Sequence, residues 1–268
     1  MSFEQWLAMA IKSLQTSDIS NARLDALVLL SHVTRLGKAQ ILARPEETLP
    51  KNQRIRLDAL LARRAQHEPI AYITGTKEFY GREFAVTTDV LVPRPESESF
   101  IDLLKKHPPT KSQSLLDIGT GSGILAISAK KEFPALAVYA TDVSDQALNV
   151  AKHNATNHHT KIHFVQSDLF ANVTGTFDYI FANLPYVPTT LTVSREVQAE
   201  PSLAVFSGAD GLDHIRRFVS QVPTHCAAGA YICIESLLSQ HADIAAICKT
   251  HSMKLTGTHG LVQLYRVD

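Results

Sequence analysis

Hydrophobic positions in the first 70 residues recur every three or four. Phe3, Trp6, Leu7, Ala10, Ile11 and Leu14 form one such face. Leu24, Leu27 and Val28 form a second, and Ile55, Leu57, Leu60 and Leu61 a third, ahead of Arg63-Arg64. This period predicts amphipathic helices, each burying one face, with Pro45 and Pro50 bracketing a loop between helices. From Ile70 to Pro93 the texture changes. Tyr72, Ile73, Phe79, Tyr80, Phe84, Val86, Val90, Leu91 and Val92 are strand formers, and Gly75 and Gly81 supply turns, so a β-hairpin is expected. From Ser114 onward short apolar runs alternate with helical stretches. Strands are expected at 115–118, 138–140, 162–165, 179–182 and 231–234, with a final pair within 255–267. Helices are expected at 124–132, 145–153, 212–222 and 241–249. Such alternation predicts an α/β fold, a mostly parallel sheet with helices on both faces. The expected division is a helical domain over 1–70, a hairpin linker over 71–95 and an α/β domain over 96–268.

Composition narrows the partners. The 268 residues are 45% hydrophobic, enough for a sizeable core. Basic and acidic residues number 26 each. A protein that tracks many backbone phosphates carries a basic excess, so stable nucleic-acid binding is not expected. The amino terminus shows no basic region followed by an apolar core, and no run of about eighteen apolar residues predicts a membrane span. The chain reads as cytoplasmic and monomeric. Cys226, Cys233 and Cys248 are odd in number, lack a Cys-x-x-Cys spacing and lie in apolar or helix-like segments, which predicts buried free thiols. None of the twelve histidines falls in a His-Glu-x-x-His pattern, and His158-His159 sits in a polar loop, so no metal is expected.

The segment Leu116-Asp117-Ile118-Gly119-Thr120-Gly121-Ser122-Gly123 places a glycine at every second position between a strand and a helix. Glycine there allows a sharp turn and close backbone approach to a ligand. The spacing is Gly-x-Gly-x-Gly rather than the Gly-x-Gly-x-x-Gly of dinucleotide-binding proteins. It resembles the loop of class I methyltransferases, which wraps the amino-acid part of S-adenosylmethionine. Asp142 ends the next strand, where a carboxylate accepts hydrogen bonds from both ribose hydroxyls and repels a phosphate. Ser167-Asp168-Leu169-Phe170 follows the third strand, where such enzymes bind adenine. The resemblance thus implies a Rossmann-like sheet and a cofactor site of Gly119, Thr120, Gly121, Ser122, Gly123, Asp142, Asp168, Leu169 and Asn183.

Asn183-Leu184-Pro185-Tyr186 follows the fourth strand and resembles the Asn/Asp-Pro-Pro-Tyr/Phe motif of methyltransferases acting on planar nitrogens. An amide nitrogen is a poor nucleophile because its lone pair is delocalised into the carbonyl. Two acceptors aimed at its N–H bonds raise its electron density and orient it, and the Asn183 side-chain oxygen and Leu184 carbonyl are the natural pair. Tyr186 is placed to stack on the planar group. Leu184 replaces a proline of the usual motif, while Pro185 still biases it toward extended backbone. Asn-Leu-Pro-Tyr also occurs in rRNA adenine dimethyltransferases, so the tetrapeptide alone leaves protein and nucleic-acid nitrogens open.

Its surroundings decide between them. Arg63-Arg64 through Pro69-Ile70-Ala71-Tyr72-Ile73-x-Gly75 and Glu78-Phe79-Tyr80-Gly81 are matching segments, as are Val90-Leu91-Val92-Pro93-Arg94-Pro95-Glu96-Ser97-Glu98, the glycine loop, and Glu200-Pro201 through Gly208-x-Asp210-Gly211-Leu212. Together they resemble the HemK/PrmC family, the glutamine methyltransferases of class I peptide chain release factors. The resemblance implies S-adenosylmethionine as methyl donor and a helical domain that helps recognise the release factor. It also implies that the Gly-Gly-Gln glutamine enters the Asn183 site, with Arg94, Glu96 and Glu98 near the pocket. Related enzymes methylate glutamine in a ribosomal protein, but their linker usually lacks the Pro-Arg-Pro-Glu-x-Glu form. Three departures stand out: Leu169 where many relatives have tryptophan, Glu235-Ser236-Leu237 without the glycine two positions after the glutamate, and Thr258-His259-Gly260 in place of an acidic turn.

Overall fold

Ser2 starts the first helix. Its hydroxyl accepts from the Gln5 backbone N–H at 3.3 Å, and Gln5 Oε1 accepts from the Ser2 N–H at 2.9 Å, a reciprocal cap that satisfies two otherwise orphaned donors. The computed structural model describes residues 1–110 and 112–267. It divides into two compact units, Met1–Gly75 with Ser194–Ala199, and Thr76–Val193 with Glu200–Asp268.

The first unit contains α1 (Phe3–Thr16), α2 (Ala22–Thr34), α3 (Lys38–Leu42), α4 (Lys51–Ala65) and α5 (Ile70–Thr74). Phe3, Trp6, Ala10 and Leu14 of α1 pack with Leu29, Leu30 and Leu57 in one core. Two expected core positions differ. Leu24 and Ile55 are exposed. Each lies two residues, about 200° of helical rotation, from a buried neighbour (Ala22 or Ala26, and Leu57), so it faces away from the core. Within this unit Arg64 is buried and donates to Asp25 Oδ2 at 2.7 Å. It also pairs with Glu196 of the returning segment. Burial raises the Asp25 carboxyl and the Arg64 guanidinium opposes that rise.

The second unit opens with a hairpin, β1 (Thr76–Phe79) and β2 (Arg82–Ala85). The hairpin expectation over 70–93 was too wide. Tyr72 and Ile73 lie in α5, confined between Pro69 at its start and left-handed Gly75 at its end, and Val90–Val92 is irregular. Five residues are too few for apolar periodicity to separate helix from strand. A 3₁₀ turn (Pro95–Glu98) leads into α6 (Ser99–Lys106), so Glu96 and Glu98 stand at a helix start, where carboxylates are favoured. There follow β3 (Ser114–Ile118), α7 (Ile124–Glu132), β4 (Ala137–Asp142), α8 (Asp145–Asn157), β5 (His163–Gln166) and β6 (Phe177–Ala182). Short helices α9 (Arg195–Gln198, in the first unit) and α10 (Ser202–Val205) precede α11 (Asp213–Gln221), β7 (Cys226–Glu235), α12 (His241–Thr250), β8 (Met253–His259) and β9 (Val262–Val267).

The sheet order is β5-β4-β3-β6-β7-β9-β8. Its first five strands are parallel, and β9 pairs antiparallel with both β7 and β8. Apolar residues fill both faces: Phe100, Leu115, Ile127 and Phe181 on one, Leu116, Ile180, Ile215 and Phe218 on the other. Such double burial is what a parallel sheet requires. Cys233 and Cys248 are buried as expected, whereas Cys226, at the start of β7, is only half-buried; all three are free thiols.

Candidate active site

Strand order reverses beside β3, with β4 on one side and β6 on the other. In an open α/β sheet the crevice at the carboxyl ends of such strands is where ligands bind. A cavity of about 310 Å³ lies here. Gly119, Thr120, Gly121 and Ser122 line it from the loop after β3, Asp142 from the end of β4, and Asn183, Leu184 and Pro185 from the end of β6.

The loop owes its shape to its glycines. Gly119, Gly121 and Gly123 all have positive φ, a region costly for residues with a Cβ. Added Cβ atoms at Gly119 and Gly123 would stand 3.1 Å from Leu184 Cδ2 and from Ala151 Cβ, respectively, whereas one at Gly121 would meet nothing within 4 Å. Gly121 therefore keeps cavity space open. Gly123 lies outside the lining and starts α7. The Thr120 hydroxyl donates to Asp117 Oδ2 at 2.6 Å, and the Ala126 N–H donates to the same oxygen at 3.2 Å. Full burial still pushes the Asp117 carboxyl up to about 7, and its Oδ1 has no hydrogen-bond partner.

Asp142 is held by backbone donors, among them Gly121 N–H on Oδ2 at 2.9 Å and Ser144 N–H on Oδ1 at 3.0 Å. Burial raises its carboxyl, against those hydrogen bonds. Asp168 and Leu169 also line the cavity, and Asp168 pairs with Arg217 at 2.7 Å. A role for Arg217 carried no sequence signal; its proximity comes from α11 packing beside the loop after β5. Asn154 likewise went unnoticed. It bonds both backbone groups of Ala85, while its Nδ2 also donates to Ser122 O at 2.9 Å, tying hairpin to loop.

The tetrapeptide divides. Asn183, Leu184 and Pro185 face the cavity. Tyr186 lies outside the lining, and its hydroxyl donates to Glu235 Oε1 at 3.1 Å. Burial, and next the Glu235 charge, push the Tyr186 phenol well above its ordinary value. Gln240 Nε2 donates to the Tyr186 carbonyl at 2.8 Å. Gly211 packs against that same carbonyl, where a Cβ would come within 2.1 Å of the oxygen. Asn183 Nδ2 donates to Ser97 Oγ at 2.9 Å.

The Pro-Arg-Pro-Glu-Ser-Glu segment also divides. Arg94 lines the cavity and pairs with Glu200, whose other oxygen accepts from the Val92 N–H at 3.0 Å. Glu96 is exposed and outside the lining, though its charge bears on Tyr186 and Glu235. Glu98 also lies outside it and accepts from the Tyr80 N–H at 2.8 Å. The residue between them, Ser97, was passed over in the sequence and is the one that lines the cavity. Among the described residues, no three His, Cys, Asp or Glu side chains converge as a metal site, and no helix is long and apolar enough to cross a membrane.

This sheet order, with a glycine turn after β3, an acid ending β4 and Asn-x-Pro-Tyr after β6, defines an S-adenosylmethionine-dependent methyltransferase. Family comparison agrees: residues 5–75 match the PrmC N-terminal domain and residues 96–200 the methyltransferase small domain. A release factor glutamine methyltransferase of Koribacter versatilis is 38% identical over 241 residues, covering 88% of this chain and 86% of its own. That of Escherichia coli is 34% identical over 239 residues, with the same coverage of each. The chain belongs to the release factor glutamine methyltransferase family. Among solved structures, a Pyrococcus furiosus methyltransferase shares the fold at TM-score 0.53 and 19% identity, over 81% of this chain and 97% of its own. The ribosomal protein L11 methylase of Lactobacillus delbrueckii shares it at TM-score 0.51 and 21% identity, over 68% and 83%.

Proposed function

We propose that this protein is a cytoplasmic, monomeric enzyme that methylates the side-chain amide nitrogen of the glutamine in the Gly-Gly-Gln motif of class I peptide chain release factors, with S-adenosylmethionine as donor. The observation that carries this reading is the state of Asn183. Its Nδ2 donates to Ser97 Oγ at 2.9 Å, and among the described residues no protein group donates to its Oδ1. A free acceptor beside the Leu184 carbonyl suits a group with two N–H donors.

The cavity fits the cofactor. Gly121 leaves space that a Cβ would fill, Asp142 offers lone pairs for ribose hydroxyls beyond its backbone bonds, and Leu169 supplies an apolar wall for adenine. S-adenosylmethionine supplies an electrophilic methyl group on a sulfonium. Asn183 Oδ1 and the Leu184 carbonyl accept the two amide N–H bonds, hold the nitrogen in line and localise its lone pair. Tyr186, fixed at its hydroxyl by Glu235, closes the far side of the amide plane against water. Arg94, anchored on Glu200, and the exposed Glu96 serve the approach of the substrate loop. The helical unit contributes recognition of the release factor body.

Methyl-labelled S-adenosylmethionine incubated with a release factor tests this. Label should enter the release factor and vanish when its Gly-Gly-Gln glutamine is replaced. Label in rRNA, or in a ribosomal protein in preference to the release factor, would overturn the reading.

A further inference from the structure

Asn183 accepts from a substrate only if its amide faces the right way round. One arm carries an acceptor and the other two donors, in nearly the same shape. Packing therefore does not choose between the two orientations, and hydrogen bonding must. Nδ2 donates to Ser97 Oγ at 2.9 Å. Having accepted that bond, Ser97 has its own hydroxyl hydrogen to give, and both Ser97 and Asn183 interact with the Glu235 carboxylate. Tyr186 donates its hydroxyl to Glu235 Oε1 at 3.1 Å. Ser97 and Glu235 are each only 1% exposed, so water does not substitute for these partners. Glu235 ends β7 and Asn183 follows β6, strands paired through Ala182 and Ile234, which brings the two side chains together.

We propose that Glu235 is the positioning residue that sets the polarity of the Asn183 amide and so makes the site selective for N–H donors. Burial raises the Glu235 carboxyl, while the bonds from Ser97, Tyr186 and Asn183 oppose that rise and favour the ionised form, which accepts and never donates. With Glu235 as the sink, Ser97 donates to it, the Asn183 Nδ2 hydrogens go to Ser97 and to the carboxylate, and Oδ1 is left facing the cavity. Reversing the amide would turn Ser97 away from the carboxylate and present Nδ2 donors to the donors of a substrate amide. Glu235 itself lies outside the cavity lining, so it acts through Ser97 and Asn183 rather than on substrate. The inference rests on the reading of Asn183 as the acceptor of the substrate amide.

Glu235→Gln tests it with little change of shape. A glutamine can donate to Ser97, which then donates to Asn183 and turns the amide over. Two measurements are made on the full chain with S-adenosylmethionine bound. The solvent exchange of the Asn183 Nδ2 protons, followed by NMR, should be slow in the parent and fast in the variant. With release factor as substrate, kcat should fall by about 10–100-fold, the usual effect of losing an orienting partner, while KM and cofactor affinity hold. Ser97→Ala should give a weaker form of that split, because Asn183 keeps its own contact with Glu235, and Ser97→Thr or Glu235→Asp should restore part of kcat. Unchanged exchange and kcat would overturn the proposal, as would parallel loss of cofactor affinity and thermal stability in Glu235→Gln and Ser97→Ala. If Glu235→Gln does not fold, Ser97→Ala decides. A parent that fails to methylate release factor sinks the substrate reading alone, because the Nδ2 exchange still decides the role of Glu235.

Discussion

In the helical unit, Asp25 and Arg64 are both buried and satisfy each other. In the catalytic unit, Asp117 and Glu235 are buried as deeply, and each keeps one carboxylate oxygen without a hydrogen-bond partner. Desolvating an ionised group is costly unless it is paired. The first arrangement meets that cost locally and serves the unit's architecture. The second leaves it partly unmet near the carboxyl ends of β3 and β7, the strands on either side of β6. Unsatisfied buried groups are rare in folded proteins and gather where function requires them.

Breaking the satisfied pair should have the largest effect on stability. Arg64→Met strands the Asp25 carboxylate and should cost about 3–5 kcal/mol in denaturant unfolding, with Asp25→Leu added to it recovering most of the loss. No recovery would mean that Arg64 acts by packing alone. On the catalytic side, Asn183→Ala should lower kcat by about 10²–10³-fold, the scale of losing one oriented polar group at a reacting centre, with cofactor affinity largely kept. Equal loss of both would make Asn183 structural.

The contrast predicts a pH signature as well. Asp117 holds its proton up to about 7 in the folded protein, against an ordinary 3.8. Across that window the folded state binds a proton that the unfolded chain has released, so stability falls as pH rises. Asp117→Asn should remove a slope of up to about 1.4 kcal/mol per pH unit between those values, read by urea unfolding. Parallel curves for parent and variant would show that Asp117 is not desolvated. A smaller effect belongs to Gly121→Ala. The left-handed backbone alone should cost about 1–2 kcal/mol, and the methyl group should weaken cofactor binding further. Ile55→Lys, on the exposed face of α4, should shift stability by no more than about 0.5 kcal/mol. Any fall in transfer to release factor would then mark that face as a contact surface.

What the sequence made legible follows the range of the interactions involved. The glycine turn, Asp142 and the tetrapeptide are local patterns, set by backbone conformation over a few residues, and each could be read in place. Ser97 could not. A serine between two glutamates looks like part of a solvated helix start, and only the 86-residue separation from Asn183, closed by the fold, gives it a partner. Glu235 drew notice for the missing glycine after it, not for the donors it collects. Glu98 misled for the complementary reason: its charge suggested the pocket, whereas its carboxylate serves the Tyr80 N–H of the hairpin. Helix α5 was read as strand because Tyr72 and Ile73 fit either state, and the deciding bonds to Pro69 are short-range but silent in composition.

The return of Ser194–Ala199 to the amino-terminal unit has a consequence for synthesis. Glu196, which completes the bonding of Arg64, emerges long after the helices it joins. At about 5–20 residues per second, the roughly 120 residues between Gly75 and Ser194 take on the order of 6–24 s to translate. Through that interval the nascent helices have Asp25 and the Glu68 carbonyl, but not Glu196, to hold the Arg64 guanidinium, and the ribosome sets the clock on which the unit is finished.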